Sequence, residues 1–201
     1  MTDQENKLSS ENQLPDLTHD KHILGFWVYL MTDLIMFAVL FATYAVLRNN
    51  TFGGPAGASF FKLPFVLAET IILLLSSFVC GLAMVAAHAN QKKAVLAWLG
   101  VTFLLGVSFL AMELTEFRGL IAEGNGPQRS AFLSSFFTLV GTHGLHIAIG
   151  LLWLLVAAYM IWLRGLTPHI INKLYRFTLF WHFLDLVWIF IFTIVYLRGV
   201  L

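Results

Sequence analysis

Eight ionisable side chains sit in stretches where apolar residues dominate. Asp33, Glu69, Glu113, Glu116 and Asp185 fall inside long hydrophobic runs, and so do His143, His146 and His182. Arg176, at the very start of the last run, is the one lysine or arginine that shares them. A charged group in hydrocarbon is costly, so such residues face a bundle interior, a partner or a watery cavity rather than lipid. Spacing groups them further. Asp33 has Tyr29 one helical turn before it and Phe37 one turn after. His143 and His146 are three apart, as are His182 and Asp185, so each pair shares a helix face. Trp181 and Trp188, seven apart, flank the second pair.

Three chemistries fit these residue types. Imidazoles from two facing helices could ligate a haem or a metal ion. A di-iron bundle would need Glu-x-x-His motifs on paired helices, and the sequence has none. Carboxylates at mid-span could form a proton path, as acid chains do in pumps. The third option is structural, with histidines and acids hydrogen-bonding across helices so that no buried polar group is left unpaired. Broken helices mark many transporter sites, but here glycine and proline cluster between the apolar runs; Pro64 stands at a helix start, where proline is tolerated. There is no Gly-rich phosphate loop and no serine-nucleophile motif. Cys80, the single cysteine, reads as a small buried hydrophobe.

The elements that position these groups are membrane spans. Of 201 residues, 59% are hydrophobic and only 11% charged, against about 25% charged in a soluble domain. Mean hydropathy is +0.80. A disordered chain, a disulfide scaffold and a nucleic-acid binder with a basic excess are all excluded. A bilayer core about 30 Å thick needs roughly 20 apolar residues per helix. Five runs qualify: residues 23–47, 63–87, 94–117, 131–163 and 174–197. They are continuous rather than alternating, which argues against a β-barrel. The expected fold is all-α, a bundle of five transmembrane helices. Glu113 and Glu116 fall near the end of the third run, close to an interface.

The connections, residues 48–62, 88–93, 118–130 and 164–173, carry the turn formers Gly53-Gly54-Pro55, Gly124-Asn125-Gly126-Pro127, Gly165 and Pro168. Ser77-x-x-x-Gly81, Thr102-x-x-x-Gly106 and Gly144-x-x-x-Ala148 are small-xxx-small patterns that permit close helix packing. Residues 1–22 differ from the rest. They are polar, carry five acids against two lysines, lack the features of a secretory signal, and are expected to be a flexible aqueous tail. Lys7, Lys21, Lys92, Lys93, Arg164, Lys173 and Arg176 fall on one side of the membrane. The smaller set Arg48, Lys62, Arg118, Arg129 and Arg198 falls on the other. The positive-inside rule then places the N-terminus in the cytoplasm and the C-terminus outside.

Three segments carry a resemblance: Phe26-Trp27-Val28-Tyr29-Leu30-Met31-Thr32-Asp33 with Phe41-Ala42-Thr43-Tyr44, then Gly141-Thr142-His143-Gly144-Leu145-His146, then Trp181-His182-Phe183-Leu184-Asp185-Leu186-Val187-Trp188. Together they strongly resemble subunit III of the haem–copper respiratory oxidases, over about residues 25–199. Five spans rather than seven make the sequence most similar to the bacterial cytochrome o ubiquinol oxidase branch. Short subunits III also occur in some bacterial cytochrome c oxidases.

The resemblance implies a non-redox subunit of a proton-pumping complex in the bacterial inner membrane, a complex that oxidises ubiquinol and reduces oxygen to water. It implies no catalytic, cofactor or metal residue in this chain, with haem and copper held by a partner subunit. Subunits I, II and IV and phospholipids are the implied partners. Asp33 matches the family's acidic position near the proton-entry side of the catalytic subunit, and Glu116 the acid of a Glu-aromatic pair, Glu116-Phe117. Glu69 and Glu113 match no family-wide motif. The histidines are then structural. An autonomous proton or ion transporter is the alternative of a different class.

Overall fold

The computed structural model describes the backbone of residues 2–50 and 63–200 and the side chains of residues 23–50 and 63–199. It is all-α, with no strand among the described residues. Helix α1 spans Thr2–Leu47, α2 Leu63–His88, α3 Lys92–Ala122, α4 Ala131–Arg164 and α5 Pro168–Ile191. A π-helical segment, Phe192–Leu197, continues α5 and ends in a short α6, Arg198–Val200. Five helical stretches are long and apolar enough to cross a membrane: Ile23–Leu47, Leu63–His88, Lys92–Ala122, Ala131–Arg164 and Pro168–Leu197. The expected tail, residues 1–22, has side chains outside the described residues, as does the Gly53-Gly54-Pro55 connection.

The helices overrun the apolar runs that announce them. α3 continues five residues past Phe117, and α5 starts six residues before Leu174. Basic residues expected in the connections, among them Arg118 and Lys173, therefore belong to helices. Nothing in Arg, Lys or Gly119 forbids one further turn, and long basic side chains can hold their charge at the interface while their stems stay on the helix.

Capping chemistry sets the ends. Ser130 is extended and its Oγ accepts from Leu133 N at 3.2 Å, starting α4. Gly165 ends α4 at φ 74°, a left-handed geometry that glycine adopts without strain. Two residues on, Thr167 Oγ1 accepts from Ile170 N at 3.4 Å and Pro168 opens α5, the helix position where a missing N–H costs nothing.

The chain forms two units, Met1–Ala38 and Val39–Leu201. The first is the leading part of α1 and carries Tyr29 and Asp33. In the second, α2, α3, α4 and α5 form a closed ring, each packed on the next and α5 returning to α2. The interior is aromatic: Phe109, Phe136, Phe177, Phe180, Trp181 and Trp188 are essentially fully buried.

Candidate functional site

Two tryptophans from α5 set the interior. Trp181 Nε1 donates to Ser76 Oγ at 3.1 Å, and Trp188 Nε1 donates to Thr70 Oγ1 at 3.1 Å. Both acceptors lie on α2, and each hydroxyl donates in turn to a carbonyl of its own helix, Leu73 O and Val66 O. The seven-residue spacing of the tryptophans thus becomes two cross-helix bonds one above the other. Small residues make room. A Cβ on Gly106 of α3 would stand 2.8 Å from Leu151 Cδ2 and 3.0 Å from Trp181 Cη2, and one on Gly150 of α4 would stand 2.9 Å from Trp181 Cζ3. Of the three small-xxx-small patterns, those ending at Gly106 and beginning at Gly144 are close approaches, whereas Gly81 meets nothing within 4 Å.

Below Trp188 the acids gather. Glu69 of α2 is fully buried and Glu113 of α3 is 2% exposed. Glu116, one turn after Glu113, is partly buried and accepts from the Tyr196 hydroxyl, with Oε2 at 2.9 Å. Electrostatically Glu69 faces Glu113 and Glu116, and Tyr196 faces all three. The Glu113 carboxylate lies against Gly144 of α4: a Cβ there would come within 2.8 Å of Oε2. Neither oxygen of Glu69, nor Oε2 of Glu113, has a hydrogen-bond partner among the described residues. Glu113 is thus buried within the bundle and Glu116 partly so, and both lie in the last three turns of α3.

His143 is fully buried beside this cluster. Its ring stacks on Trp188 with centroids 5.1 Å apart and meets Phe109 edge-on at 5.9 Å. The other two histidines each meet a carbonyl of their own helix. His146 Nδ1 is 2.7 Å from Thr142 O, and His182 Nδ1 is 2.7 Å from Thr178 O, each within its own helix. The i−4 carbonyl is the nearest polar atom available to an imidazole on an apolar helix, and in His182 the ring is exposed rather than buried. Asp185 is buried, with its Oδ1 unpartnered among the described residues. Among the described residues no group of three or more His, Cys, Asp or Glu has the arrangement to hold a metal ion.

Tyr196 is the site residue that sequence reasoning missed. At about 100° per residue, an eight-residue separation leaves it about 80° away from the Trp188 face. The π segment turns less per residue and swings it back, so that the two rings lie 6.1 Å apart. No residue in Phe192–Leu197 signals that change of helix type.

The family model described as cytochrome c oxidase subunit III matches residues 16–200, nearly the whole chain. The chain belongs to that family. Cytochrome bo(3) ubiquinol oxidase subunit 3 of Pseudomonas aeruginosa is 59% identical over 189 residues, 92% of this chain and 90% of the relative. The Pseudomonas putida protein of the same name is 58% identical, covering 89% of this chain and 86% of the relative. Cytochrome c oxidase subunit 3 of Bacillus sp. (strain PS3) is 45% identical over 88% of this chain and 85% of its own length. For a subunit III, the interior described above is built from indole, hydroxyl and carboxyl groups on four helices, and it is a multi-pass membrane protein by its five apolar spans.

Proposed function

We propose that this chain is the non-redox subunit III of a cytochrome bo-type ubiquinol oxidase, a complex that oxidises ubiquinol, reduces oxygen to water and translocates protons. The observation that carries the reading is the 59% identity over 92% of the chain to a ubiquinol oxidase subunit 3. The chemistry of the interior agrees with a supporting role. Its buried groups form helix-to-helix bonds and an acid cluster, and a stacked imidazole between Trp188 and Phe109 is placed for packing. Haem and copper belong on this reading to partner subunits, with subunits I, II and IV as neighbours.

Asp33, on the first unit, is the residue assigned to proton supply: an acid facing the catalytic subunit biases local hydration and proton delivery. A groove of about 310 Å³ between α4 and α5, lined by Trp153, Met160, Ile161, Lys173 and Arg176 among others, combines apolar walls with two cations and suits a phospholipid. The N-terminus lies in the cytoplasm on the positive-inside argument.

Purification from detergent tests the reading. The chain is expected to copurify with a haem-bearing partner that oxidises ubiquinol, and Asp33→Asn is expected to slow proton uptake or shorten the working lifetime of that complex. Isolation of the chain alone with proton transport in vesicles would overturn it. A second reading, a short cytochrome c oxidase subunit III, is favoured by the Bacillus relative at 45% identity; a complex that turns over with reduced cytochrome c and not with ubiquinol would select it.

A further inference from the structure

We propose that Glu69, Glu113 and Glu116 form a buried proton-holding site, in which acid protons and water are shared among the three carboxyl groups and exchange with solvent. Two independent observations converge on it. Along α3, Glu113 and Glu116 stand three residues apart on one face, with the Tyr196 hydroxyl donating to Glu116 Oε2 at 2.9 Å. From α2 comes Glu69, fully buried, with both oxygens unpartnered among the described residues.

Among the described residues, the groups around the cluster supply no compensating charge. α2 brings Thr70, already engaged by the Trp188 indole, and α4 brings Gly144 and the stacked His143, with His146 one turn further on. α5 and its π segment bring Trp188 and Tyr196. Arg118 is only two residues beyond Glu116 but is exposed. Three uncompensated negative charges in one volume of a membrane interior are prohibitively costly, and neutral carboxyl groups are the affordable form. A neutral carboxyl both donates and accepts, so the unpartnered oxygens of Glu69 and Glu113 are matched by acid protons and by water, which needs two to four polar partners.

Depth allows exchange. Glu69 is six residues from the start of α2, and Glu116 six from the end of α3, each about 9 Å along the helix. Both ends open on the same side of the bundle, that of the 123–130 connection. Gly144 belongs to the same design, because any side chain there would displace the Glu113 carboxylate. The site does not depend on which electron donor the complex uses.

Infrared spectroscopy of the whole purified oxidase, in H₂O and in D₂O, tests the proposal. The wild type is expected to show carbonyl bands of protonated carboxylic acids that shift in D₂O, one of which disappears in Glu69→Gln and another in Glu113→Gln. Tyr196→Phe is expected to keep the number of bands and move the Glu116 band to higher frequency. Loss of carboxylate bands alone in the glutamine variants, meaning a charged site held by a cation, would overturn the proposal. So would acid bands that ignore D₂O, meaning a sealed site. If either glutamine variant fails to assemble, the wild-type exchange and Tyr196→Phe, which leaves all three carboxyls in place, decide the question.

Discussion

Trp181 shows how much a single residue position can carry. Its indole is anchored on Ser76 at one end and fits between Gly106 and Gly150 on its faces. An anchored ring cannot retreat from a new methyl group. Overpacking of this kind costs about 1–3 kcal/mol, against which alanine returns about 1 kcal/mol of helix propensity. Gly150→Ala is therefore expected to destabilise the subunit by about 1 kcal/mol net, by the balance of those two effects. Gly81→Ala, with nothing within 4 Å of its Cβ, is expected to be neutral or stabilising. Thermal denaturation of the purified complex, scored by retention of this subunit, checks the pair; equal behaviour would show that the slot tolerates the methyl. The small-xxx-small spacing made Gly81 and Gly106 visible as candidates and passed over Gly150; which glycine faces a rigid ring depends on helix rotation, and spacing is silent on that.

At the scale of elements, the start of α5 at Thr167 and Pro168 reads as connection in the sequence, whereas helix ends were legible at the two ends of α4, between Ser130 and Gly165. They were not legible where a helix runs on through residues that neither favour nor forbid it, as in α3 beyond Phe117. Ser130→Ala removes the Oγ that receives Leu133 N. A lost N-cap costs about 1 kcal/mol, so amide hydrogen exchange in the first turn of α4 is expected to speed up while the middle of the helix is unchanged. Uniform exchange rates would mean that the neighbouring contacts, among them Tyr44 with Phe132 at 6.0 Å, hold that turn without the cap. The π segment belongs to this scale as well. Its extra residue per turn costs nothing readable in sequence, yet it decides that Tyr196 reaches Glu116.

At the scale of the molecule, the charge pattern argues for one orientation. Lys92 lies with the larger basic set, and its ammonium donates to Trp162 O at 2.9 Å, tying the start of α3 to the end of α4 on that side. Single cysteines at the two faces report it, in a background where Cys80 is buried. Ala89→Cys is expected to react with an impermeant reagent from the cytoplasmic side only, and Gln128→Cys from the periplasmic side only. The reverse labelling would invert the assignment and, with it, the side on which the acid cluster opens.

The five spans, the family and the presence of costly acids in the membrane interior followed from the sequence itself. Hydrocarbon imposes a length and a composition on every span, and both can be counted along the chain. What only the tertiary structure decided is which acids meet. Glu69 and Glu113 are 44 positions apart and match no shared motif, and Tyr196 is a further 83 away; their encounter is fixed by the rotation of α2 against α3, by the missing side chain at Gly144 and by one widened turn at the end of α5. Helix rotation is set by the summed packing of indoles and glycines across four helices, a property of the whole bundle that no local stretch encodes.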